Sequence, residues 1–241
     1  MKTNHVTQVA TFEKLLGFCN AHGSVFNPSK KAIKLTALED LRTQANESMR
    51  AVKEAITAKD NAQIARRQTF RELPKFATRI IAALAATDAS EEVIEKANAF
   101  RHSLSFKANR PALPSSEANP SPGEEGKKRS TSMLSFTRRA DSFAALVEVL
   151  RAEPSYTPNE ESISVAGLTA FVESLRNMNR AVYQAEVDLS NARFKRNRVL
   201  YGEDGIYDCS TRVKKYVKSL YGASSTQFRQ ISGLRFIDKK F

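Results

Sequence analysis

The chain has 241 residues, 41% hydrophobic and 27% charged, with 38 Lys+Arg against 26 Asp+Glu for a net charge of +12. Such a balance excludes wholesale disorder, suits two helical units of about 100 residues each, and permits weak attraction to polyanions. No window approaches a run of about 18 apolar residues, so no membrane span is expected.

The opening stretch from Met1 to Phe18 lacks an uninterrupted apolar segment and a small-residue cleavage site, and a cytoplasmic location is expected. Residues 9–21 place Val9, Phe12, Leu15, Leu16 and Cys19 on one helical face, with Thr11 as the candidate N-cap. Ala21-His22-Gly23-Ser24 is expected to stop that helix, and Asn27-Pro28 to feed the next.

Asn27–Phe70 is written twice. Shifted by 130 positions it lies over Thr157–Leu200 without a gap. Ten of the 44 pairs are identical: Pro28/Pro158, Ile33/Ile163, Leu38/Leu168, Arg50/Arg180, Ala51/Ala181, Val52/Val182, Ala55/Ala185, Asn61/Asn191, Ala62/Ala192 and Arg66/Arg196. An internal repeat of this kind fixes the expected architecture before any local reading. In the second copy Leu168, Phe171, Leu175, Met178, Val182, Ala185, Leu189 and Ala192 alternate spacings of three and four, a heptad seam. The first copy keeps that register with Leu38, Leu41, Ala45, Ser48, Val52, Ala55 and Ala62. Each copy is therefore expected to form one helix of about 40 residues, roughly 60 Å long.

Both long helices are expected to end at a reversal: Arg71-Glu72-Leu73-Pro74 in the first copy, and Tyr201-Gly202-Glu203-Asp204-Gly205 in the second, with Gly202 past the helix end and Asp204 as a cap. Return helices follow, carrying Phe76, Ile80, Ile81 and Leu84 in one copy and Cys209, Val213, Val217 and Leu220 in the other. Short helices over about Ser90–Arg101 and Thr226–Ser232 come next, and each copy closes on a similar tail, Leu104-Ser105-Phe106 over Leu234-Arg235-Phe236. Residues 110–130 are rich in Pro, Ser and Gly and read as a linker. The expected fold is all-α: a tandem duplicated antiparallel helical bundle with long coiled-coil-like helices. Its units are 1–109 and 131–241, separated by the linker at 110–130.

The segments MLSFTRRADSFAALVEVL, YTPNEESISVAGLTAF and LYGEDGIYD…RVKKYVKSLYGASSTQFRQISGLRF resemble a family of duplicated helical bacterial proteins that has no assigned function, most strongly over residues 131–236. The resemblance implies a bacterial, intracellular setting and carries over no chemistry.

His5, His22 and His102 are scattered, without metal-ligand spacing, and read as surface or capping side chains. Glu91-Glu92, Glu160-Glu161 and Glu203-Asp204 fall near presumed helix N-termini, where carboxylates complement the dipole. Cys19 and Cys209 read as buried thiols of a reducing compartment, with a disulfide between them as the alternative. The glycines form no phosphate-binding loop. No enzyme is expected: no catalytic set, no cofactor and no metal.

The basic signal is stronger. Arg193, Lys195, Arg196 and Arg198 crowd the end of the second long helix, Arg66, Arg67 and Arg71 the same region of the first, and Arg212, Lys214, Lys215 and Lys218 the return helix. With Tyr201, Tyr207 and Tyr216 among them, these side chains suit a polyanion or nucleic acid; they equally suit solvated helix ends. The long seams suit a core, and where a long helix outruns its neighbours, a partner protein or a second copy of the chain. A structural or scaffolding role is the leading expectation, with polyanion binding second.

Overall fold

The computed structural model describes residues 5–104 and 131–238. Among them are seven α-helices and no strand: α1 (His5–Ala21), α2 (Leu35–Ala85), α3 (Glu91–Leu104), α4 (Thr131–Arg151), α5 (Val165–Tyr201), α6 (Ile206–Tyr221) and α7 (Thr226–Ser232). The fold is all-α. The expected linker at 110–130 and most of the tail Leu104-Ser105-Phe106 lie outside the described residues.

The long helices begin alike. A 3-10 turn, Lys31–Ile33 or Glu161–Ile163, buries its isoleucine, and the helix starts two residues later. Before α5, the Ser164 hydroxyl accepts the Gly167 N–H at 3.1 Å, satisfying one of the donors that a helix start leaves open. The heptad seam is buried where expected, at Leu38, Leu41, Ala45 and Val52 on α2 and at Leu168, Leu175, Val182 and Leu189 on α5.

Two expectations fail in the N-terminal half of the chain. Thr11 is not a cap: α1 runs from His5, so Thr11 lies inside it and donates its hydroxyl to the Thr7 carbonyl at 2.8 Å. The first copy has no reversal at Pro74 either, because α2 continues through the proline for 51 residues, about 75 Å. Proline normally breaks a helix interior because it cannot donate to the carbonyl four residues back. Here that carbonyl, on Phe70, accepts the Arg139 Nη2–H at 2.8 Å instead. The supposed return helix is the second half of α2, and Ile80, Ile81 and Leu84 are buried there as part of it.

The second copy does reverse. Gly202 N–H closes on the Arg198 carbonyl at 2.8 Å, Asp204 takes a left-handed φ of 52°, and Gly205 precedes α6. Asp204 is not the side-chain cap that its position suggests. Its own N–H is held by Asp208 Oδ2 at 3.2 Å, while its carboxylate pairs with Lys30 at 2.7 Å.

The chain forms two compact units, Met1–Asp60 with Ala185–Phe241, and Asn61–Gln184. They do not follow the expected partition into 1–109 and 131–241. The first unit gathers α1, the start of α2, the end of α5, α6 and α7 around Phe12, Leu15, Leu38, Ala45, Leu200, Ile206, Cys209 and Val213. The second gathers the end of α2, α3, α4 and the start of α5 around Phe70, Leu73, Ile80, Leu84, Phe143, Leu146, Leu168 and Leu175. The physical reason is the unbroken α2: without a reversal at Pro74, the residues after it pack in the second unit, not back along the first half of the same helix.

Candidate interaction face

In the first unit, α5 exposes two large apolar side chains seven residues apart, Val187 at 53% and Phe194 at 59%. Two helical turns separate them, so they lie on one stripe. Glu186, Arg193 and Arg198 stand on α5 beside that stripe, and none of them is in an ion pair. Next to it, α2 and α5 leave a groove of about 540 Å³ with small side chains, Ser48, Ala51 and Ala192, and polar ones that include Gln44, Asn191 and Lys195. Small residues let a further helix approach closely, and the exposed Val187 and Phe194 offer it apolar area.

The basic residues singled out from sequence meet different fates. In the second unit, Arg67 and Arg71 are exposed, in the middle of α2 and not at a helix end. Arg66 is only 4% exposed, with its guanidinium 4.2 Å from the centre of the Phe136 ring, so it belongs to the core. In the first unit, Arg193, Lys195, Arg198, Lys215 and Lys218 are exposed and free of ion pairs. Arg196 is half-buried against Asn197 Oδ1 at 2.8 Å, and burial lowers its pKa. Arg212 is engaged by Asp208 at 2.9 Å. Lys214 donates to the Ser232 and Leu234 carbonyls and sits over the Phe236 ring, which fastens the C-terminal segment to α6; burial lowers its pKa. Sequence reasoning counted eleven cations, and burial removes some of them from the surface.

Of the three tyrosines, Tyr201 and Tyr216 are likewise committed. Tyr201 hydrogen-bonds His5 Nδ1 at 3.0 Å, and the Tyr216 hydroxyl accepts the Asn27 N–H while its ring meets Phe26 edge-on. Both cysteines are buried free thiols. Burial pushes Cys19 up to about 12 and Cys209 up to about 11, and Cys209 donates its S–H to the Asp204 carbonyl at 3.1 Å. Glu91 and Glu92 occupy the first turn of α3.

Sequence reasoning missed Arg139 of α4 in the second unit. It is 3% exposed, donating Nη2–H to the Phe70 carbonyl and Nε–H to the Leu104 carbonyl, each at 2.8 Å. Its guanidinium lies 5.6 Å from the Phe70 ring, which meets Phe136 edge-on at 5.0 Å. Burial lowers its pKa to about 10. One arginine thereby closes both the gap left by Pro74 and the C-terminal end of α3. The same unit holds an aromatic groove of about 690 Å³ between Phe76 and Phe171, with Arg79 over the Phe76 ring and Lys75 paired to Glu72.

No protein-family model, curated protein or solved structure matches the chain. Among the described residues no helix is long and apolar enough to cross a membrane, and no group of three or more His, Cys, Asp and Glu side chains is placed to hold a metal ion.

Proposed function

We propose that the protein is a non-enzymatic, internally duplicated helical scaffold that binds a helix of a protein partner on the exposed face of α5. The observation that carries this reading is the Val187–Phe194 stripe, two large apolar side chains exposed on a helix that buries Leu168, Leu175, Val182 and Leu189 along its seam. Each is already almost half covered, so a partner that buries the rest recovers roughly 0.8–1.5 kcal/mol per side chain. The adjoining small-residue groove supplies the room. The paired 3-10 turns, each followed by a long helix in the same register, support the duplication.

A photo-crosslinking amino acid in place of Phe194, in cells of the native host, tests the reading. A discrete protein adduct is expected from that position and none from Arg50, an exposed site on α2. Equal labelling from both positions, or none from either, contradicts it.

A second reading has its own observation. Arg193, Lys195, Arg198, Lys215 and Lys218 are exposed and form no ion pairs, as a polyanion-binding surface requires. Co-purification with nucleic acid that is shed only at high salt favours this alternative.

A further inference from the structure

We infer that the helix received by α5 is the α5 of a second copy, running antiparallel. This rests on the proposed α5 face and names its occupant. The argument is the distribution of side chains about the midpoint of the stripe, between Ser190 and Asn191. Val187 and Phe194 stand at equal distances on either side of that midpoint, both exposed. A two-fold axis there lays the Val187 of each chain against the Phe194 of the other. A two-fold contact is self-complementary by construction, and it requires a surface whose halves match under that rotation.

The charges match as well. Glu186 and Arg193 lie on the same flank of α5, also seven residues apart, one before the midpoint and one after it. In the antiparallel arrangement each Glu186 faces the Arg193 of the other copy, twice by symmetry. Neither is in an ion pair among the described residues. On the opposite flank Asp188 and Lys195 lie seven residues apart in the same acid-then-base order. A parallel arrangement would instead bring opposite flanks together and set Glu186 against Asp188 and Arg193 against Lys195. Like charges so placed disfavour the parallel form.

Four variants of the full chain test this, with self-association followed by analytical ultracentrifugation. Glu186→Arg places arginine against Arg193 and should weaken association about tenfold; adding Arg193→Glu should restore it to near the parent value. Ser190→Cys, at the axis, should form a disulfide-linked dimer under mild oxidation. Arg198→Cys should not, because its two copies lie roughly 20 Å apart along the antiparallel pair. Cys19 and Cys209 are buried and do not compete.

Cross-linking through Arg198→Cys, or a charge reversal that is not rescued, overturns the antiparallel pairing. A parent chain that stays monomeric at high concentration overturns the second copy as occupant, while a discrete adduct of another mass from position 194 keeps the face reading. Association that persists when Val187→Glu and Phe194→Glu are combined, which sets like charges against each other across the contact, overturns the face itself.

Discussion

Phe70 and Leu200 align in sequence and both are fully buried, yet the chain treats the residues after them in opposite ways. After Phe70 the helix runs on through Pro74; after Leu200 it stops at Gly202–Gly205 and reverses. Proline is the stronger helix breaker on intrinsic preference. The difference lies in what the freed backbone groups find. The Phe70 carbonyl meets Arg139, a donor brought from another helix. The second copy has three extra residues and two glycines, and a Cβ on Gly205 would sit 2.7 Å from the Val199 carbonyl. At Pro74 a substitute donor lets the helix run on, whereas at Gly202 and Gly205 the turn leaves no room for a Cβ.

Removing that donor has the largest expected effect. Arg139→Ala leaves two buried carbonyls unsatisfied and should lower stability by about 3–5 kcal/mol, read from urea unfolding. Next is Gly205→Ala, which forces the new methyl against the Val199 and Gly202 carbonyls. It should cost about 2 kcal/mol in the same assay.

Pro74→Ala sharpens the comparison by restoring the missing N–H. Its benefit should be larger in the Arg139→Ala background than in the parent, with a coupling of about 1 kcal/mol in a double-mutant cycle. Additive effects would mean that Arg139 does not compensate the proline.

The smallest effect is at Asp208, beside the glycine turn. The Arg212 hydrogen bond, helped by the Asp204 N–H, holds its carboxyl below the ordinary value of 3.8. The folded state therefore binds fewer protons, and the stabilisation is present above 3.8 and fades as pH falls through the lowered value. The parent's advantage over Asp208→Asn in urea midpoint should hold steady above about pH 5 and shrink below it.

Much of the fold was legible because buried heptad positions depend only on local spacing: Leu38, Leu168, Leu175 and Val182 are core, and α7 spans Thr226–Ser232 as read. Helix continuity at Pro74 was not legible. It depends on Arg139, which is 69 residues from Phe70 and 35 from Leu104 in the chain. The compact units were hidden for a related reason. Two stretches with chemically similar apolar faces do not tell, from composition or spacing, which half packs with which. Of the basic residues, the sequence identified the type but not the exposure: Arg66 carries the same charge as Arg67 and lies under Phe136.

The central claim is that the exposed stripe of α5 is a contact surface. Light scattering coupled to size exclusion tests it most directly, on the parent and on the combined Val187→Glu, Phe194→Glu variant, at about 0.1 M and about 0.5 M salt, with the 260/280 nm ratio recorded. The account predicts a parent mass near twice the 26.8 kDa chain at both salts, no nucleic acid, and a monomeric variant. A parent monomer that releases a 260-absorbing partner only at the higher salt, or a variant with unchanged mass, contradicts it.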